Sequence, residues 1–167
     1  VMVIHTTLLP FIDAAGEMKT KPTQHSVMRL REIGIEPDIL VCRTEHSNHL
    51  SSKLKKKLGL FCNVHMNHVF ESPDVNTIYE IPLVLFKQNF DSVIAKKLGM
   101  KLNHHRNIKY LKDSIDSFKN PKHKITIAIC GKYNKLHDAY KSILEAFIHA
   151  GISNQTEVKI KWIDTEE

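Results

Sequence analysis

The feature that most constrains this chain is a set of short, continuous apolar runs separated by helical segments. Val1–Leu9 (VMVIHTTLL) is dense in β-branched residues and shows no alternation of polar and apolar positions. Such a run fits a strand buried on both faces of a parallel sheet, because an antiparallel strand with one wet face alternates. Pro10 closes it, and Asp13–Pro22 reads as a polar loop containing Gly16. A helix is expected over Thr23–Ile33, with Val27, Leu30 and Ile33 at helical spacing and Gly34 as its stop. Pro37-Asp38 turns the chain into a second buried strand, Ile39–Cys42, and the polar stretch Thr44–Ser52 leads to a lysine-rich helix, Lys53–Leu60. A short strand is expected around His68–Phe70, then apolar helical sequence from Asn76 to Leu98, broken near Pro82 and Asn89. Strands alternating with helices define an α/β parallel architecture.

Met100–His123 changes character. It is rich in Lys, His and Asn, carries one amphipathic helix over Ile108–Phe118, and ends at Asn120-Pro121. It reads as an interdomain linker. A new unit then opens: strand Ile125–Cys130, Gly131, helix His137–Ala150, Gly151, and strand Val158–Ile163. One β-α-β unit cannot cover both faces of a sheet, so this second domain is expected to be cut short. The expected division is residues 1–100 as a first, partial domain, 101–123 as linker, and 124–167 as the start of a second.

Composition excludes several classes. With 167 residues, 42% hydrophobic and 25% charged, the chain has enough apolar surface for a core and is not a disordered or collagen-like tether. No apolar run approaches the roughly 18 residues that cross a bilayer, and Val1–Leu9 lacks the basic start and small-residue cleavage site of a secretion signal. The 3 cysteines, Cys42, Cys62 and Cys130, are scattered and odd in number, which fits reduced thiols in a cytoplasmic protein. A net charge of +6 attracts anions. Only Arg29, Arg31, Arg43 and Arg106 are arginines; the other cations are lysines, which serve phosphate as point charges better than they read bases.

The segment Gly16–Ser26 (GEMKTKPTQHS) concentrates these features. Lys19 and Lys21 flank Thr20, Pro22 stiffens the loop, and Thr23 and Gln24 stand where a helix begins. Ammonium groups, hydroxyls and a helix N-terminus together suit a polyphosphate, and the Gln24 amide suits a base or ribose. A solvated loop before a capped helix is the plain alternative.

GEMKTKPTQHSV, LREIGIEPDILVCR, LGLFCNV, DVNTIYEIPLVL and GKYNKLHDAYKSILEAFIHAG follow one another in an order and spacing that resemble the CTP synthase family, across essentially the whole chain. The resemblance implies the C-terminal part of a P-loop-type, dethiobiotin-synthetase-like amidoligase domain with a parallel sheet. After it comes the first β-α-β unit of a class I glutamine amidotransferase domain, carried by Ile125–Ala150. It implies a parent activity, the ATP- and glutamine-dependent amination of UTP to CTP, with Mg²⁺ and ATP as cofactors. UTP, CTP and ATP are the implied partners, together with further copies of the chain, since the family forms its pocket between neighbouring subunits. By the same resemblance Lys19, Thr20, Lys21, Pro22, Thr23 and Gln24 match a loop that holds UTP or CTP. Lys57 matches a further phosphate lysine, with Lys55 and Lys56 as alternatives. Pro73, Asp74 and Val75 match a segment meeting the adenine of ATP. Asp138–Ser142 resembles a segment at the domain junction near the route taken by ammonia.

The sequence departs from the family at Asn76, where Asp is usual, at Pro73, where a basic residue is common, and in a slightly longer Thr44–Ser52 loop. It contains no G-x-x-x-x-G-K-S/T loop; Gly131-Lys132-Tyr133 is a fragmentary lookalike. The phosphate loop and the two Mg²⁺-binding acids are expected upstream of Val1, and Cys130 lies in a strand instead of the nucleophile turn a glutaminase needs. No catalytic residue and no metal ligand is therefore assigned within the chain, and it is expected to be inactive alone. Two alternatives are a truncated, non-catalytic module for nucleotide binding or oligomerisation, and a basic nucleic-acid binder built on Lys53–Lys57, Lys96, Lys97 and Lys101. No aromatic stacking pattern accompanies those lysines, and nucleic acid and membrane are not expected partners. Cys62, His65 and His68, with His46 and His49 upstream, are weighed as a zinc set and read instead as surface histidines.

Overall fold

The computed structural model describes residues 1–45, 50–102, 108–132 and 136–165. It divides into two compact units, Val1–Arg106 and Asn107–Glu167.

The first unit is built on a three-stranded parallel sheet. Strand β1 (Ile4–Leu9) pairs with β4 (Ile39–Thr44), and β4 pairs with β5 (Val69–Pro73), in the order β1-β4-β5. Parallel neighbours need crossovers, and these are α1 (Lys21–Glu32) between β1 and β4 and α2 (Ser52–Cys62) between β4 and β5. After β5, α3 (Ile81–Lys87) and α4 (Phe90–Lys97) follow a 3₁₀ turn.

Alternation along β4 explains the layers. Leu40 and Cys42 join Leu9, Val27, Leu58, Cys62 and Val69 in one apolar cluster, under α1 and α2. Ile39 and Val41 join Phe70 in another, packed by Leu85, Phe90, Val93 and Ile94 from α3 and α4. Central β4, with apolar neighbours on both faces, has no reason to alternate polar residues over Ile39–Cys42. Strand β1, at the sheet edge, departs from the expectation of burial on both faces: Thr7 and Leu9 are buried, whereas Ile4, Thr6 and Leu8 are exposed. Each fully buried Leu or Ile contributes about 1.5–3 kcal/mol.

Element boundaries shift for local reasons. The first strand starts at Ile4, with Val3 already bonded to the Asp38 region through both its N–H and its carbonyl. Helix α1 starts at Lys21, two residues before the expected Thr23, because Pro22 fits a first turn whose N–H groups have no helical partner. It ends as expected: Gly34, at φ 81°, donates to the Arg31 carbonyl while Ile35 donates to Leu30. Pro82 likewise lies in the first turn of α3 and breaks nothing, whereas Asn89, at φ 61°, separates α3 from α4. The loop expected over Asp13–Pro22 contains a small hairpin, β2 (Phe11–Ile12) antiparallel to β3 (Glu17–Met18), and Met18 reaches the main core.

In the second unit β6 (His123–Gly131) runs parallel to β7 (Thr156–Asp164), joined through a 3₁₀ turn and α6 (Lys141–Ser153). Helix α5 (Lys109–Lys119), which the sequence places in a linker over 101–123, packs on α6 and β7 and buries Ile115. Gly151 lies inside α6 and does not end it. Its missing Cβ lets the Thr156 carbonyl approach, since an added Cβ would stand 2.5 Å from that oxygen. No helix among the described residues is long and apolar enough to cross a membrane.

Candidate nucleotide site at the carboxyl edge of the sheet

The register of the first sheet aligns its strand ends. Leu9 is opposite Thr44, and Thr44 is opposite Pro73, so all three strands finish in one row. Open α/β sheets receive ligands outside the carboxyl ends of their strands. Both segments singled out in the sequence leave from this edge: Lys19–Gln24 follows β1, and Pro73–Val75 ends β5.

The hairpin controls where the first segment goes. Lys19 N–H donates to the Pro10 carbonyl at 2.9 Å, which returns the chain to the end of β1 before α1 begins. Thr20 and Thr23 are buried. The Thr23 hydroxyl donates to the Leu8 carbonyl at 3.0 Å, and the Gln24 amide donates to the Thr20 hydroxyl at 3.0 Å. These two threonines therefore hold the loop against the sheet, while Lys21 and Pro22 face solvent.

Charge gathers on the outer side. Lys19 is hydrogen-bonded to Glu17, and this bond, with the Lys57 charge adding to it, holds the Glu17 carboxyl below the usual carboxylate range. Lys57 on α2 thus lies within electrostatic reach of the Lys19 loop. The neighbouring lysines act elsewhere: the Lys55 charge is felt at buried Cys42, and Lys56 borders a recess of about 500 Å³ with Leu60, Asn63 and Met66. That recess is mostly apolar, and of the site residues inferred from sequence it holds only the alternative phosphate lysine, Lys56.

At the other end of the row, Asp74 N–H donates to the Thr44 carbonyl at 3.1 Å, and Asp74 faces Arg43 at 3.4 Å. Arg43 escaped the sequence reading. Its signal was its place, directly after the buried ILVC run, where a strand leaves the core. Glu71, a lone acid inside an apolar strand, was missed as well; its carboxyl accepts from Thr44 and Leu50.

No three His, Cys, Asp or Glu side chains come together as a metal site among the described residues. The acids near the edge are engaged separately, Glu17 by Lys19, Asp74 by Arg43 and Glu71 by Thr44 and Leu50. They do not fit a Mg²⁺ site, and no step is assigned to a metal here. His65 and His68 have ring centroids 5.5 Å apart, Cys62 is buried, and His46 and His49 lie outside the described residues.

A three-stranded parallel sheet between helical layers, with a lysine-bearing loop and an Arg–Asp pair at its carboxyl edge, defines an open-sheet α/β protein. A family model described as CTP synthase N-terminus matches residues 1–100. The chain is 51% identical to a CTP synthase of Cytophaga hutchinsonii over 99% of its own length and 30% of that relative. It is 52% identical to CTP synthases of Chloroherpeton thalassium and Chlorobaculum tepidum, in each case over 98% of this chain and 29% of the relative. The chain belongs to the CTP synthase family. It spans about 30% of the length of these curated relatives.

Proposed function

We propose that this chain supplies nucleotide-contacting segments of a CTP synthase, whose whole reaction is the amination of UTP to CTP. In that reaction ATP transfers its γ-phosphoryl group to the uracil 4-oxygen, and ammonia from glutamine displaces it, leaving CTP, ADP and phosphate. The observation that carries the reading is the charge beside the end of β1: Lys19 is bound to exposed Glu17, and the Lys57 charge acts on the same carboxylate. An ammonium group held by one exposed carboxylate is one that a triphosphate can take over, with Lys21 as a second cation on the same loop and Lys57 adding its charge. Thr20 and Thr23 hold the loop, Pro22 sets the first turn of α1, and the Gln24 amide exchanges its Thr20 contact for UTP or CTP. At the other end of the row Pro73, Asp74 and Val75 receive the adenine of ATP, with Arg43 beside Asp74.

The remaining proposals concern the whole protein. The first unit belongs to a P-loop-type amidoligase sheet, and the parallel β6-α6-β7 unit opens a glutamine amidotransferase domain. The chain works in the cytoplasm as a homo-oligomer, for which exposed Met28, Ile33, Leu60 and Phe61 supply apolar surface. It contributes binding and not the phosphoryl transfer, since no G-x-x-x-x-G-K-S/T occurs in its 167 residues.

Calorimetric titration with UTP tests the reading. Lys19→Ala and Lys57→Ala are each expected to weaken UTP about tenfold, equivalent to ~1.4 kcal/mol. Lys53→Ala, on the opening turn of the same helix, leaves it unchanged. Equal affinity for the wild type and both variants would refute the assignment.

A further inference from the structure

Glu71 is 9% exposed, in the middle of β5, and both its main chain and its side chain are tied down. Its N–H donates to the Gln88 side-chain oxygen at 2.9 Å, and the Gln88 amide donates back to the Glu71 carbonyl at 2.7 Å. The Gln88 amide thus substitutes for a neighbouring strand along β5, on the side away from β4. The Glu71 carboxyl reaches in the other direction. One oxygen accepts from the Thr44 hydroxyl at 3.0 Å, and the other accepts from the Leu50 N–H at 3.1 Å. Thr44 is fully buried and Leu50 is 5% exposed. Thr44 ends β4, and Leu50 stands just before α2, so one side chain joins both described ends of that connection to β5. The Thr44 carbonyl in turn accepts from Asp74 N–H at 3.1 Å, and Arg43, its chain neighbour, faces Asp74.

An apolar side chain at position 71 would fill the same space, yet it would deprive a buried hydroxyl and a buried N–H of this acceptor. Packing alone therefore does not account for a carboxyl here. We propose that Glu71 is a positioning residue: it fixes Thr44 and Leu50 so that Arg43 and Asp74 stand at the adenine-contacting end of the carboxyl edge. This rests on reading Pro73–Val75 as an ATP segment. The loop at Lys19–Gln24 leaves from β1 and hangs on Leu8, Pro10 and Thr20, so Glu71 governs ATP and not UTP.

The test compares ATP and UTP titrations of the full chain, with circular dichroism as a check of folding. Glu71→Ala and Thr44→Val are expected to weaken ATP about tenfold and to leave UTP within about twofold. Glu71→Gln rescues ATP binding, since its carbonyl oxygen accepts from Leu50 N–H and its amide donates to the Thr44 hydroxyl. Should Glu71→Ala fail to fold, Thr44→Val decides the question with a smaller change of shape. Unchanged ATP binding in the folded variants, or equal losses of ATP and UTP, overturns the positioning role. A wild-type chain that binds UTP but gives no ATP signal overturns the ATP segment itself, and the inference with it.

Discussion

Cys42 and Cys130 occupy matching places in the sequence. Each ends a four-residue apolar stretch, ILVC and IAIC, that forms a parallel strand. Cys42 is fully buried, and desolvation, with Cys62 nearby, pushes its thiol up to about 12; Cys130 is exposed. The difference lies in the layers. Strand β4 has a strand on each side and apolar clusters on both faces, whereas β6 pairs with β7 alone among the described residues and leaves Ile125 46% exposed. Identical local pattern therefore carries different energetic weight, depending on how many elements close over it.

The largest contrast is expected in thiol chemistry. Below its raised pKa, Cys42 is a neutral thiol shielded from solvent, so a thiol-specific reagent at pH 8 should modify Cys130 about 10³-fold faster or more. Comparable rates would show that β4 is not enclosed as described.

Core truncation follows. Leu40→Ala in β4 is expected to cost about 2–5 kcal/mol, and Ile125→Ala in β6 about 1 kcal/mol or less because its side chain is already half in water. Urea unfolding checks this with two signals. Trp162 is the single tryptophan, set edge-on to Tyr140 at 5.3 Å, and its fluorescence reports on the second unit. Far-UV circular dichroism reports on both units.

The smallest contrast is between two ion pairs. Lys97 and the Val3 N–H hold the Asp38 carboxyl below its ordinary value near 3.8, and Lys124 lowers Glu157 in the second unit. A carboxyl with a depressed folded pKa stabilises above the unfolded pKa and loses that contribution as the pH falls through the folded one. Burial, with Lys97 and His65 adding, lowers the His68 pKa, so acid protonating this imidazole below about 6.5 destabilises in the same direction. Asp38→Asn should therefore flatten the acid limb of a stability–pH curve by ~0.5 kcal/mol, since a third of the side chain meets water. Glu157→Gln in its more exposed pair should leave the curve unchanged.

Much of this fold is legible in the residues. Val27, Leu30 and Gly34 locate α1, and the apolar, β-branched runs locate β1, β4 and β6, because periodicity and stop signals are local. Pro22 misleads when assigned to the loop, and Pro82 when read as a breaker, since a first turn needs no N–H there. Gly151 misleads as a helix end, because its real partner is a carbonyl five residues on. In the site, the lysine–threonine loop is legible from composition and order. The reach of the Lys57 charge to Glu17, and the links from Glu71 to Thr44 and Leu50, depend on strand register and crossover geometry, which no local pattern encodes. Helix α5 reads as linker because its lysines conceal the Ile115 face that packs.

The central claim is that nucleotides meet this chain along one row of strand ends. Backbone amide chemical-shift mapping of the full chain with UTP, then with ATP, tests it directly. UTP is predicted to move Lys19, Thr20, Lys21, Thr23, Gln24 and Lys57, and ATP to move Arg43, Asp74 and Val75. Shifts spread over Lys53, Lys96 and Lys101, or confined to the second unit, would contradict it.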